Sequence, residues 1–199
     1  MTWRAPKTTS YVVYGELQKT EALFFRLDPT RVLEWLSAKG HDLPKPADER
    51  AARISILERA AIPAPGQEVD QPSVGSDLLT LVHSMCHRMI RQAAVLAGID
   101  RNSLSELLVP NHLGFFIYAG ARGDFVLGGL QAVFETELDR LLDSFVKGEH
   151  RCALDPGCAT TGGACVACLH LGEPSCRYFN RFLDRRSIIG SAGYLTGGT

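Results

Sequence analysis

The sequence predicts an α+β fold: a small mixed sheet with packed helices and a C-terminal Cys-rich zinc-binding segment. Three observations predict it. Short β-branched and aromatic runs, YVVYGEL and ALFFRLD within residues 11–28 and GFFIYAG at 114–120, read as strands. Apolar residues recur at helical spacing between and after them. Five of the six cysteines fall between positions 152 and 176.

The elements follow in order. Asp28 before Pro29 is a helix-start signal, and Val32, Leu33, Trp35 and Leu36 continue at helical spacing to Gly40. Residues 46–61, PADERAARISILERAA, predict a charged amphipathic helix. Pro63, Pro65, Gly66, Pro72 and Gly75 then crowd into a linker. The linker divides the chain into residues 1–74, an N-terminal strand/helix segment, and residues 75–199, a zinc-binding domain.

Ser76-Asp77 is expected to cap a long helix reaching Gly98, with Leu78, Leu81, Val82, Met85, Met89 and Ala93 as its apolar stripe. Ser103-Leu104-Ser105-Glu106 reads as the capping box of one more short helix, stopped by Pro110. GFFIYAG is the expected central buried strand. After the glycine-bearing loop GARGDFVLGG, apolar positions from Leu130 to Val146 predict one continuous helix ending at Gly148.

Composition narrows the function. The chain has 199 residues, 45% of them hydrophobic, and 21 basic against 22 acidic side chains, a net charge of -1. With no global positive field, contact with nucleic acid or anionic lipid has to come from a local patch or a partner. The first residues contain no signal-peptide core, and no run of about 18 apolar residues suggests a membrane span. The expected location is therefore the cytoplasm, where cysteines stay reduced and a tight cluster points to metal or redox work.

The cysteines are spaced Cys152-x5-Cys158-x6-Cys165-x2-Cys168-x7-Cys176. Zinc favours four tetrahedral ligands, and a Cys-x-x-Cys turn supplies two, while Gly157, Gly162 and Gly163 let the backbone fold around the ion. Four thiolates leave no open position for water, so the expected Zn2+ site is structural, contributing on the order of 10 kcal/mol or more to order in the segment. Position favours Cys152, Cys158, Cys165 and Cys168, with Cys176 as the substitute. Disulfides, an iron–sulfur cluster and a catalytic zinc of the deaminase type are the competing readings. The last lacks the His-x-Glu and the proline its motif wants, since Ala164 precedes Cys165 and only Glu149-His150 stands upstream.

Taken together, Cys152-x5-Cys158, Gly163-Ala164-Cys165-x2-Cys168-Leu169, Glu173-x2-Cys176 and Asn180-Arg181-Phe182-Leu183-Asp184-Arg185 resemble the zinc-binding C-terminal domain of MrfA-type DNA helicases. The version in DrmB, the helicase-associated subunit of DISARM phage-defence systems, is closest. His83-x3-His87, Phe116-Ile117-Tyr118 and Gly128-Gly129-Leu130 look like that family's helix, strand and glycine loop, so the resemblance covers about residues 76–186. Tyr14-Gly15-Glu16 and the run from Leu23 to Asp28 look similar to the segment preceding this domain in DrmB. DrmB proteins are much longer, so the chain resembles their C-terminal part only.

The resemblance implies a non-catalytic accessory module of a superfamily 2 helicase, reaching DNA through that complex, in antiviral defence or DNA repair. The sequence holds no GxxxxGK[ST] loop, so the motor is expected in another chain. A zinc-dependent hydrolase or deaminase acting on nucleic acid, and a purely architectural subunit, are the alternatives.

Other residues have plainer and sharper readings. His83 and His87 share a helical face as metal ligands do, but no zincin glutamate accompanies them, and a structural role bonding nearby backbone or the glycine loop is preferred. Cys86 reads as a small buried hydrophobe. Arg122 in the glycine loop is a possible phosphate contact, although glycines serve tight turns equally well. RYFNRFLDRR predicts a helix whose Arg177, Arg181 and Arg185 share a face along a phosphate backbone or a partner protein. Asn180 and Asp184 are expected to brace the zinc loop.

Overall fold

The computed structural model describes residues 2–4, 11–13, 15, 17–120, 127–147, 151–173 and 175–196. Two short strands, β1 (Thr2–Arg4) and β2 (Tyr11–Val13), pair antiparallel. The main sheet is three-stranded and antiparallel, with β5 (Gly114–Ala119) between β3 (Ala22–Arg26) and β4 (Leu104–Val109). GFFIYA is the central strand because both its edges are paired, and the period-2 alternation buries Phe115, Ile117 and Ala119 on one face. On the other face Phe24 stacks on Phe116 with ring centroids 4.5 Å apart. Since β3 pairs with β5, the sheet crosses the expected division near residue 74.

Among the described residues, four helices precede the cysteine segment on the chain's apolar periodicity, and a fifth arises from a break. Asp28 caps α1 (Pro29–Ala38), and Asp48 caps α2 (Glu49–Leu57). The long helix α3 (Val74–Ala97) lies across the buried sheet face and ends at Gly98 in the left-handed conformation. Its cap is Ser73, not Ser76. Ser73 Oγ accepts from Ser76 N at 3.1 Å and Ser76 Oγ accepts from Ser73 N at 2.8 Å, a reciprocal box. Asp77 instead sits in the first turn, where it pairs with Lys39 and His41, each at 2.7 Å.

The short helix expected from Ser103 is absent. A single 3-10 turn at Arg101–Ser103 leads straight into β4. Pairing with β5 overrides the local helix signal, and Glu106, which a capping box would turn back on Ser103, points inward opposite Ile117. The expected continuous helix from Leu130 is two, α4 (Gly129–Thr136) and α5 (Leu138–Lys147), parted at Glu137. The break lets Leu130 and Val133, then Leu141 and Phe145, each turn onto the core.

The C-terminal arginine run is not helical either. Phe179, Asn180 and Phe182 have φ of 54°, 57° and 54°, a chain of left-handed residues that no α-helix accommodates. Among the described residues, only a 3-10 turn at Arg185–Ser187 follows. One apolar cluster runs from Leu36 and Ile56 through Leu81, Ile90 and Ile117 to Leu141, Ile188 and Tyr194. No helix among the described residues is long and apolar enough to cross a membrane.

Candidate metal centre

The cysteine segment wraps round four thiols. Cys152 lies just before a tight turn and Cys158 on the short helix α6 (Gly157–Thr160), while Cys165 O accepts the amides of Cys168, Leu169 and His170 at 3.0–3.1 Å, closing the Cys-x-x-Cys turn. Cys152 Sγ stands 3.4 Å from Cys165 Sγ, and Cys168 Sγ stands 3.7 Å from both Cys158 and Cys165. Four sulfurs about 2.3 Å from one ion would have edges of about 3.8 Å, so the spacing suits a single tetrahedral ion. The amides of Leu154 and Cys165 donate to Cys152 Sγ and Cys168 Sγ at 3.4 and 3.2 Å, as they would to thiolates.

Electrostatics agree with the donor set. Burial raises the Cys165 pKa, but hydrogen bonds from Cys152 and the amides of Ala167 and Cys168 prevail and bring it down to about 7. Burial and the neighbouring thiols push Cys158 up to about 12. Four thiolates this close repel one another, and a bound cation is what permits all four to ionise. The quartet can hold a metal ion, and four protein ligands leave that ion no open position.

The loop is held from outside. Gly163 has φ of +78°, and a Cβ there would fall 2.2 Å from Asp184 Oδ1, so only glycine fits. Asp184 Oδ1 accepts from Arg186 Nε at 2.9 Å, and Arg186 Nη1 donates to Ala159 O at 3.2 Å. Asn180 brackets Leu171, accepting from its amide and donating to its carbonyl, both at 2.9 Å. Arg91 on α3 donates to Ala167 O and His170 O at 2.9 and 3.2 Å.

Cys176 is elsewhere. It sits with His83 and His87 of α3 and Glu106 of β4, in a second group of four buried side chains. His83 Nε2 lies 2.9 Å from His87 Nε2 and 3.4 Å from Cys176 Sγ, and Glu106 Oε2 lies 3.3 and 3.1 Å from the two imidazoles. Burial opposes protonation of His83, but the adjacent Cys176 thiol and Glu106 carboxylate outweigh it and raise the pKa to about 9. Burial likewise resists ionisation of Glu106 and Cys176, yet the imidazoles hold the carboxylate well below its usual range and bring the thiol down to about 7. His87 bonds to backbone in the cysteine loop, where its Nδ1 lies 2.9 Å from Leu169 O.

Glu106 was invisible to sequence reading because a helix was expected over it. The only signal was its alternation with Leu104 and Leu108. Cys86 is fully buried in the core.

The arginines separate. The Arg177 side chain is exposed and its amide binds Glu106 Oε1 at 2.9 Å, Arg181 pairs with Glu68 at 3.1 Å, and Arg185 pairs with Asp155. Arg122 lies outside the described residues. A different group converges instead. Arg88, Arg91, Arg140, Arg151 and Arg185 line a cleft of about 430 Å³ beside the thiol loop, Arg140 also pairing with Glu137 at 3.4 Å. Arg88 and Arg91 at helical spacing were the sequence signal for it.

No protein-family model matches the chain. In an alignment of 185 positions that covers 85% of the chain, it is 28% identical to the DISARM protein DrmB of Bacillus paralicheniformis. The chain spans 31% of that relative, about a third of its length. The resemblance to DrmB read from separate motifs therefore extends across most of the chain.

Proposed function

We propose that this chain is a non-catalytic, zinc-stapled accessory module of a DISARM-like anti-phage assembly, working beside a superfamily 2 helicase subunit that carries the motor. The similarity to DrmB over most of the chain carries this reading. The four-thiol quartet supports zinc as its ion, since an all-sulfur tetrahedral set is zinc's structural preference. A closed site does no chemistry on a substrate; it holds residues 152–171 in place. What that loop presents to a partner or to DNA is the arginine-lined cleft.

DNA is engaged there through phosphates. Five guanidiniums gathered on one cleft, Arg140 and Arg185 among them also bonded to Glu137 and Asp155, suit a backbone contact, which positions a duplex without reading its sequence. Binding of the purified chain to duplex and single-stranded DNA, with salt varied, tests this. Arg140→Ala/Arg151→Ala is expected to weaken binding alike on unrelated sequences and to flatten the salt dependence. Binding unaffected by both changes removes DNA from the role. Failure of the chain to co-purify with a DISARM helicase subunit co-expressed with it removes the accessory role.

A further inference from the structure

We propose that His83, His87, Glu106 and Cys176 form a second, fully buried site for one divalent transition-metal ion, with zinc the best fit. The inference is independent of the defence role and of the four-thiol quartet, with which it shares no ligand.

Four side chains from three separate stretches of chain, α3, β4 and the segment after the cysteine loop, bring one ligand atom each to within 4.8 Å of one another. All are sequestered: His83 and His87 are 0% exposed, Glu106 1% and Cys176 3%. With metal–nitrogen and metal–oxygen bonds of about 2.0–2.1 Å and a metal–sulfur bond of about 2.3 Å, tetrahedral edges come to about 3.3–3.6 Å. The contacts of 2.9, 3.1, 3.3 and 3.4 Å lie at or just inside those edges.

The outward atoms are already engaged, and the inward ones are not. A carbonyl only accepts, so His87 Nδ1 donates to Leu169 O, which leaves the lone pair of the neutral ring on Nε2, facing the centre. Glu106 Oε1 takes the Arg177 amide at 2.9 Å, whereas Oε2, turned inward, faces the two imidazole Nε2 atoms at 3.1 and 3.3 Å without hydrogen-bond geometry to any described residue. Cys176 Sγ accepts the Asn180 amide at 3.2 Å. His83 Nδ1 has no such partner, and its ring is placed by contact with His87 and Tyr178, centroids 4.3 and 5.7 Å away.

Protons serve this group poorly. Two imidazole nitrogens, a carboxylate oxygen and a sulfur meet as four acceptors in a dry interior, where a few shared protons leave Oε2 unsatisfied, at a cost of about 1–3 kcal/mol. A single cation satisfies all four. The mixed nitrogen, oxygen and sulfur set suits a borderline ion such as zinc rather than calcium or magnesium. Four protein ligands close the shell, so the ion clamps β4 and the Cys176 segment onto α3.

Metal analysis of the intact purified chain, followed by cobalt substitution and its visible spectrum, tests the site. Two ions per chain are expected. Cys165→Ser/Cys168→Ser is expected to keep one, whose cobalt spectrum shows a single thiolate among nitrogen and oxygen ligands. Glu106→Gln/Cys176→Ser is expected to keep the other, with four thiolates. Because it changes few atoms, retention of the four-thiolate spectrum shows that the variant is folded. One ion per chain with an all-sulfur spectrum overturns this proposal and leaves the four-thiol reading intact. One ion with a nitrogen- and oxygen-rich shell does the reverse. An unchanged count of two in Glu106→Gln/Cys176→Ser also overturns it.

Discussion

His87 donates its Nδ1 proton to the carbonyl of Leu169, the residue after Cys168, at 2.9 Å. One turn further along α3, Arg91 reaches the carbonyls on either side, Ala167 and His170. The helix thus carries two imidazoles inward and holds the thiol turn with the same face.

Arg91→Ala should loosen the Cys165–Cys168 turn without touching a thiol. Partners of this kind typically alter metal affinity by about 10- to 100-fold. Competition with a chromophoric chelator is expected to show faster and weaker retention of the ion at the four-thiol site, near the lower end of that range because Arg91 is only half-buried.

Gly163→Ala should destabilise the protein by about 2 kcal/mol or more, since the new Cβ meets Asp184 in a left-handed backbone. For a chain of this size that lowers Tm by about 4–8 °C. Gly157→Ala, where a Cβ meets nothing within 4 Å, is the control and should leave the melt unchanged.

Asn180→Ala removes both bonds to Leu171 and leaves alanine in a left-handed conformation that asparagine tolerates better. The expected cost is about 1–3 kcal/mol, read by thermal or denaturant unfolding.

Glu106 gives the chelated protein an acid-side dependence. Its folded pKa is depressed from an ordinary 4.5, chiefly by His83 and His87 against burial, so its contribution is present above 4.5 and lost as pH falls through the folded value. Stability of the chelator-treated protein should fall between about pH 4.5 and 3, and Glu106→Gln should show a shallower fall over that window. Equal slopes would show that the carboxylate is not held by the imidazoles.

Local signals located most of the elements. Asp28 and Asp48 each cap a helix start, Gly98 ends α3, and the glycine-bounded GFFIYAG is the middle strand, because in each case short-range preference and tertiary need agree. Where they disagree, the longer-range partner decided. Ser103 to Glu106 satisfies a helix cap by spacing, but β5 offers six paired positions, and inward alternation then carries Glu106 to α3. The arginine run has helical spacing, yet Asn180 turning back on Leu171 imposes left-handed residues that spacing cannot reveal. Four of the five clustered cysteines were legible as a quartet from their order. Order set Cys176 apart only as a substitute ligand; its own group is not legible, because it consists of two histidines 93 and 89 positions earlier and a strand carboxylate.

The cleft is lined both by helix, through Arg88 and Arg140, and by the thiol loop itself, through Ala167, Cys168 and Leu169. Its positive charges are therefore spaced by the thiol loop as well as by secondary structure. Arg185 is tied to the loop through its amide to Gly163 O, and Arg91 through its guanidinium. A chelator or oxidant acting on the half-exposed Cys165 would scatter that array while leaving every arginine in the chain. The protein's electrostatic face is in this sense conditional, existing as a shaped surface only while the sulfurs below it stay gathered.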